Sequence, residues 1–217
     1  MKFISFFLFL LTTNYTFSQV DPVASKKYNR SGDVVVYSTP NEIKGSNYLF
    51  KTWENKNVIH YKEGNQILKN ININVKDNNF EFKISEKSVL IIDPKNIEYI
   101  TINYKNYKFY SFEGSHNKIF EIVALSKKIE ILKSFEIYFV KGIANPVITN
   151  PIDKYVLKTR YHIKKEDKIS DFKLKKKRIL SIFSDKKDEI TKYVKKNKLS
   201  YKKEKDVKQI FSYYSSL

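Results

Sequence analysis

Apolar and polar residues alternate one by one over much of residues 46 to 163, and this alternation is the strongest pattern in the chain. Successive side chains of a β-strand point to opposite faces, so a period of two predicts strands with one buried face. Five segments carry the pattern, and their apolar positions are Ile71, Ile73, Val75; Phe80, Phe82, Ile84; Ile100, Ile102, Tyr104; Phe135, Ile137, Phe139; and Tyr155, Leu157, Tyr161, Ile163, the last with Lys158, Arg160 and His162 on the opposite face.

Residues 88–92 and 119–125 are more continuously apolar and are predicted as two further strands. Turn-forming residues, such as Asp77-Asn78-Asn79, separate the runs at intervals of roughly 8 to 12 residues, which favours antiparallel meanders over βαβ units. Residues 142–154 contain Pro146 and Pro151 and are predicted as a long loop before the last strand. Residues 46–170 are therefore predicted as an antiparallel β domain of about eight or nine strands, arranged as a sheet, a sandwich or an open barrel.

The hydrophobic period changes after residue 163, and residues 171–217 are predicted as about three short helices packed on the β domain. Asp185 and Ser200 precede two of these segments and are predicted as N-caps. The whole chain is thus predicted to have an α+β fold. The spacing of i, i+3 and i+4 that gives each helix one apolar stripe is seen at Ile190, Tyr193, Val194 and at Val207, Ile210, Phe211, Tyr214.

The first 18 residues are typical of a secretory signal peptide. They contain Lys2, an apolar run over residues 3–11 that is interrupted only by Ser5, and small residues at Thr16 and Ser18, before a cleavage site at Gln19. The apolar run is too short for the ~20 residues that span a bilayer. We therefore expect removal of residues 1–18, export to the periplasm, the cell envelope or the medium, and no transmembrane span in the mature chain. Residues 19–45 are predicted as an N-terminal segment with one short strand at residues 34–37.

Composition narrows the classes of function. The chain has no Cys, which excludes disulfide scaffolds, thiolate zinc sites and cysteine nucleophiles. Lys and Arg outnumber Asp and Glu by 41 to 23, for a formal charge of +18, and such an excess attracts nucleic acid, anionic lipid or acidic glycans. A solvated lysine-rich surface is the competing interpretation, because only three of the basic residues are Arg, the residue favoured where phosphate geometry is recognised.

Half of this charge lies in residues 171–217, which carry 15 basic and six acidic side chains, a net charge of +9. Its densest part, here called the basic block, has two interpretations, and the first is that it contacts phosphates of lipid headgroups, lipopolysaccharide or extracellular DNA. The alternative is that these cations form the solvent-facing sides of amphipathic helices. The basic block consists of Lys173, Lys175, Lys176, Lys177 and Arg178.

The sequence contains no motif that assigns a catalytic, cofactor-binding or metal-binding residue. His60, His116 and His162 have neither metal-ligand nor acid–base spacing, and no Gly-x-Ser-x-Gly elbow or phosphate-binding glycine loop occurs. We therefore expect no cofactor and no metal. One alternative stays open, because carboxylates can pair across a sheet as in glycosidases. The candidates for such a pair are Glu81, Asp93, Glu98, Glu113 and Glu121.

The last 33 residues resemble the C-terminal end of a family of small exported Bacteroidota proteins whose function is uncharacterised. The matching features are Asp185-Lys186-Lys187, Tyr193-Val194-Lys195, Asn197-Lys198-Leu199, Asp206-Val207 and the terminal Tyr213-Tyr214-Ser215-Ser216-Leu217. A looser similarity covers Gly45-Ser46, Trp53 and residues 71–93. The resemblance implies a signal peptide, a β-rich body and a helical end, and it implies no activity or catalytic residue.

Together these observations predict a non-enzymatic, envelope-associated binding or accessory protein, whose partner is an envelope protein or an anionic envelope polymer. Two alternatives remain. The first is a polyanion-binding protein that uses its basic C-terminal helices, and the second is a carboxylate-based hydrolase.

Overall fold

The computed structural model describes residues 43–112, 115–127, 129–143 and 152–217. These residues form an α+β fold in which antiparallel strands come first and helices follow, as the sequence predicts. The strands are β1 (Asn57–Tyr61), β2 (Gly64–Leu68), β3 (Ile71–Asn74), β4 (Asn79–Ser85), β5 (Ser88–Ile91), β6 (Ile97–Ile102), β7 (Lys105–Phe112), β8 (Ser115–Ser126), β9 (Ile129–Val140), β10 (Lys154–Lys165) and β11 (Lys168–Phe172), and the helices are α1 (Lys176–Leu180), α2 (Lys187–Lys196) and α3 (Glu204–Ser215), with a 3-10 turn over Ser184–Lys186.

Eight strands form one antiparallel sheet in the order β11-β10-β9-β8-β7-β6-β1-β2, and β3-β4-β5 form a second, smaller sheet. The strand count of the described residues is therefore 11, above the eight or nine expected. Strands β1, β2, β7 and β11 lie outside the segments with clear periodicity, because their side chains alternate poorly in hydrophobicity. The signal peptide, the strand at residues 34–37, Glu113 and the centre of the loop before β10 fall outside the described residues.

The smaller sheet packs on one face of the large sheet. Their shared core joins Ile71, Ile73 and Phe80 of the small sheet to apolar residues of β1, β6, β7, β8 and β9. One prediction here is wrong, because Tyr104 does not continue strand β6 and is 77% exposed. Asn103 and Tyr104 both have positive φ, at 49° and 65°, and form the two-residue turn that twists in the sense of a β-hairpin.

The three helices form a second layer on the same face of the large sheet. Ile131 contacts the helical core and Phe135 contacts the small-sheet core. Residues four apart on one strand share a face, so both layers cover one side of β9 at different positions along it. The helical core is completed by buried residues of each helix, namely Ile179, Leu180, Ile190, Val194, Val207, Ile210, Phe211 and Tyr214.

The predicted N-caps are wrong, because Lys186 and Lys203 occupy the N-cap positions, and the Ser200 hydroxyl accepts the N–H of Lys202 within its own turn. Helices α2 and α3 begin at Lys187 and Glu204, and neither N-cap residue makes a side-chain capping bond. The Asp185 carboxylate instead accepts a hydrogen bond from the Tyr214 hydroxyl, 3.1 Å from each oxygen. Among the described residues, no helix is both long and apolar enough to cross a membrane.

Candidate functional site

The five cations of the basic block are held at the surface by the apolar residues between and beside them. Phe172 and Leu174 are buried in the helical core, as are Ile179 and Leu180 at the end of α1. The intervening side chains must therefore point outward, and all five cations are exposed. None of them has an acidic partner within ion-pair distance among the residues that the structure describes. The block therefore presents five unneutralised charges to solvent.

An open groove of about 790 Å³ lies beside the block, between α1 and the start of α2. Lys176 and Lys177 of the block line it together with Lys187, and Asp188 is its one acidic lining residue within the described chain. Three ammonium groups and one carboxylate give the groove a net positive charge. Its wall also contains hydroxyl groups, from Ser181, Ser184 and Thr191.

The acidic residues of the helical region do not neutralise the block, because most of them have other partners. Glu204 pairs with Lys133 of β9 at 2.8 Å, and Glu189 lies 3.4 Å from Lys186. Asp206 accepts the Ser200 N–H at 2.9 Å, and Asp185 is bonded to Tyr214. Of the carboxylates that follow the block in sequence, these four have partners elsewhere, and Asp188 lies beside the block in the groove.

A second charged cluster, here called the junction, lies where the two layers meet on the large sheet. Lys133 occupies the position on β9 between Ile131 and Phe135, and its ammonium contacts Glu121 Oε2 at 2.9 Å and Glu204 Oε1 at 2.8 Å. Glu121 lies opposite Lys133 on β8, and Glu204 is the first residue of α3. The Tyr161 hydroxyl donates to Glu204 Oε1 at 2.6 Å, and Lys105 contacts Glu121 Oε1 at 2.9 Å.

The junction has the electrostatics of a structural ion bridge. Burial alone disfavours the charged form of Glu204, but hydrogen bonds from Lys133 and Tyr161 outweigh it and hold the pKa of Glu204 below its ordinary value. Burial likewise lowers the pKa of Lys133, and its bonds to Glu204 and Glu121 more than reverse this, so its pKa is raised. Glu204 and Lys133 therefore contribute as charges that hold α3 against β9.

The electrostatics of the junction also test the hydrolase alternative, because a cavity of about 440 Å³ opens beside Glu121 and Glu204. A glycosidase pair needs one carboxyl whose pKa is raised, so that it stays protonated and acts as an acid. The pKa of Glu204 is shifted in the opposite direction, and Lys133 lies between the two carboxylates. The electrostatics of this pair therefore oppose general acid–base catalysis.

The structure does not bring the other candidate carboxylates to this pair. Glu81 is buried in the small sheet, where it accepts bonds from the Tyr48 hydroxyl at 2.7 Å and the Asn74 amide at 2.9 Å. Burial and this bond raise the pKa of Tyr48 to about 12. Asp93 accepts the N–H of Lys95 in a turn, and Glu98 is exposed on β6.

His162 is predicted on the solvent side of its strand, and the structure corrects this, since it is 4% exposed. Phe120 packs edge-on against the His162 ring, with the ring centroids 5.3 Å apart, and burial lowers the pKa of His162. His162 Nε2 lies 2.9 Å from Ser134 Oγ, and Nδ1 lies 3.3 Å from Asp171 Oδ1. This order resembles a Ser-His-Asp triad, but Ser134 is 1% exposed, so a substrate carbonyl cannot reach its hydroxyl in this conformation.

His60 is also in a structural setting, since it stacks on Tyr99 with ring centroids 4.0 Å apart and bonds to Thr101. In the described residues, no group of three or more His, Cys, Asp or Glu side chains is arranged to hold a metal ion. Comparisons of this chain with protein-family models, with curated proteins and with solved structures find no match.

Sequence reasoning missed the junction, although it placed the basic block in a helical region. Lys133 and Glu204 are 71 residues apart, and no local pattern relates them. One signal was available, because Lys133 interrupts the otherwise apolar series Ile131 and Phe135 on one strand face. A charge at such a position is rarely buried without a partner.

Proposed function

We propose that this chain is an exported, non-enzymatic binding protein of the cell envelope, which engages an anionic polymer through the basic block and the adjoining groove. The observation that carries the proposal is the exposure of five adjacent cations without an acidic partner in the described chain. Clustered cations raise the local concentration of phosphate, sulfate or carboxylate groups through a field of several kT.

The rigid mounting of the block also supports this proposal. Buried residues fix the backbone on both sides of the cations, so the spacing between the charges does not have to be ordered when the ligand binds. Binding that needs little ordering retains more of its interaction free energy. The export part of the proposal rests on the N-terminal sequence, and N-terminal mass analysis of the native protein tests it. A mature protein that begins at Gln19 is the expected result, and an intact Met1 would exclude it.

The test of the binding site is a quadruple substitution, Lys175→Gln, Lys176→Gln, Lys177→Gln and Arg178→Gln. Affinity for heparin and duplex DNA is measured as a function of salt concentration, because each phosphate contact contributes about 0.9 to the slope of log K against log salt for duplex DNA. Loss of up to four contacts is expected to flatten the slope by up to about 3.6.

The matched control carries the same change of charge elsewhere on the helical layer, at four exposed lysines. A specific site predicts that the control changes the slope by less than about 1. Equal losses in the two variants would show that the attraction is diffuse and would contradict the proposal. The control residues are Lys195, Lys196, Lys202 and Lys203.

A further inference from the structure

The β9–β10 hairpin extends beyond the large sheet at the end away from the helices. Pairing of β8 with β9 ends at Phe120 opposite Ser134, whereas β9 and β10 remain paired as far as Val140 opposite Lys154. Asn78, in the turn between β3 and β4, contributes to this separation. Its side-chain amide donates to Asn117 O at 2.7 Å and accepts from the N–H of Ile119 at 3.0 Å, so it occupies hydrogen-bonding groups of β8 next to the point where β9 leaves.

We call residues 136–143 and 152–158 the arm, and its surface is unusually apolar. Phe139 is 51% exposed and Leu157 is 42% exposed, and Phe139 packs edge-on against Tyr155 at 5.5 Å. Phe139 and Leu157 lie on one face of the hairpin, and Tyr138 and Val140 lie on the other, so the arm exposes apolar side chains on both faces. Exposed apolar residues that are scattered singly need no explanation, but a group of them on one element marks an interaction surface. Six of the 15 large apolar residues exposed in the described chain are in the arm, namely Tyr138, Phe139, Val140, Ile143, Ile152 and Leu157.

Cations border these apolar residues. Lys141, Lys154 and Lys158 are exposed, and the Lys158 ammonium lies 4.4 Å from the centroid of the Tyr138 ring. The acidic groups nearby are already bonded, since Asp153 Oδ1 accepts the Gly142 N–H at 2.8 Å and Glu136 pairs with Lys118 and Arg160. The residues that border the arm therefore carry a net positive charge.

We propose that the arm docks on an anionic lipid bilayer, with its aromatic and aliphatic side chains in the interfacial layer and its lysines against lipid phosphates. Aromatic side chains favour the membrane–water interface, because their rings are amphipathic, and basic residues near an anionic surface add to the attraction. Charge complementarity favours anionic lipid over a neutral bilayer as the partner. The apolar centre of the arm is separate from the basic block. Phe139 lies opposite Tyr155, and Phe172, which precedes the block, lies opposite Tyr161, six residues or about 20 Å further along β10.

Vesicle co-sedimentation tests the proposal, with vesicles of phosphatidylglycerol and phosphatidylethanolamine compared with phosphatidylcholine alone. The double variant Phe139→Ser with Leu157→Ser is expected to bind anionic vesicles at least tenfold more weakly, because full burial of one such side chain corresponds to roughly tenfold or more in affinity. Both side chains are about half exposed, so the fold should survive, and an unchanged melting temperature checks this. The matched control is Ile67→Ser with Leu125→Ser, two exposed residues outside the arm, and it should bind as the wild type does.

A tryptophan placed in the arm reports on insertion directly. Trp53 is the only tryptophan of the chain, so a Trp53→Phe, Phe139→Trp variant carries a single reporter. Its emission is expected to shift to the blue on anionic vesicles and to be quenched by lipids brominated in their acyl chains, whereas Leu125→Trp in the same background should not respond. Replacing Lys141, Lys154 and Lys158 with Gln should weaken vesicle binding, and the same change at Lys62, Lys165 and Lys168 should not.

Several outcomes would overturn this proposal. They are absence of binding to anionic vesicles, equal losses in the arm and control variants, and a reporter that stays in water. If the basic-block variant loses vesicle binding while the arm variant keeps it, lipid binding belongs to the block. A dimer in sedimentation experiments that dissociates in the Phe139→Ser variant would show that a second copy of the chain covers the arm.

Discussion

Removing the cation of the junction should destabilise the fold in a way that depends on pH. In a Lys133→Met variant, Glu121 and Glu204 would face each other at a site where Glu121 is 3% exposed and Lys133 is 7% exposed. Loss of one partner from a buried ion pair costs about 3–5 kcal/mol, because the remaining charge is uncompensated. Two features favour the lower end of this range, about 3 kcal/mol: the Glu204 side chain is 30% exposed, and Lys105 still pairs with Glu121 in the variant.

Urea unfolding measures this loss. With a denaturant slope of about 2 kcal/mol per molar, the midpoint should fall by about 1.5 M, and the melting temperature by about 6–12 °C. Lys118→Met is the matched control, because Lys118 pairs with Glu136 at 3.4 Å in a more exposed setting, where an ion pair contributes about 1 kcal/mol or less.

The pH dependence separates electrostatics from packing. The pKa of Glu204 is lowered in the fold, so its stabilising charge is present above the pKa of the unfolded chain and is lost as the pH falls through the folded value. The deficit of Lys133→Met should therefore shrink in acid, where protonation relieves the repulsion. Replacing both glutamates with Gln in the Lys133→Met background should recover part of the stability. A deficit below about 1 kcal/mol, or one that is the same at pH 4 and pH 7, would refute this account.

Two further predictions concern the core and the buried histidine. Phe211 is fully buried against Phe183, so Phe211→Ala should lower the free energy of unfolding, measured by calorimetry, by about 3–5 kcal/mol. The control Phe139→Ala should change it by less than about 0.5 kcal/mol. Equal effects of the two substitutions would show that α3 is not part of the core. The pKa of His162 is lowered in the fold, so neutral His162 contributes fully to the free energy of unfolding above a pH of about 6.5. This contribution is lost as the pH falls toward the folded pKa, and the free energy of unfolding then changes by up to about 1.4 kcal/mol per pH unit. Denaturation from pH 7.5 to 5 should show this slope in the wild type and not in His162→Gln, and parallel curves would contradict it.

The sequence by itself determined the class of fold and much of its local structure. Period two predicted strands at Ile71, Ile73 and at Phe80, Phe82, because the alternation of side chains is a property of one strand. The stripe of Val207, Ile210 and Phe211 predicted helix α3 for a similar reason. The absence of Cys and the density of cations after β11 are also properties of the sequence alone.

Only the tertiary structure decided which elements share a face and which charges meet. Ile84 continues an alternating pattern yet is 56% exposed, because no element covers the end of β4 in the described chain. His162 alternates with apolar residues as a solvent-facing residue does, yet it is buried, because the sheet brings Phe120 of β8 and Ser134 of β9 against its ring. The alternation of apolar and polar residues indicates which side chains share a strand face, but the burial of each face depends on the elements that pack against it.

The junction shows the same limit for electrostatics. Glu121, Lys133 and Glu204 meet because β8 pairs with β9 and α3 crosses them, and these contacts join residues far apart in the chain. Contacts between residues far apart in the chain therefore decide whether a charge is neutralised, and the amino-acid composition gives no information about these contacts. The same geometry leaves the basic block without acidic partners among the described residues and carries the apolar arm beyond the sheet.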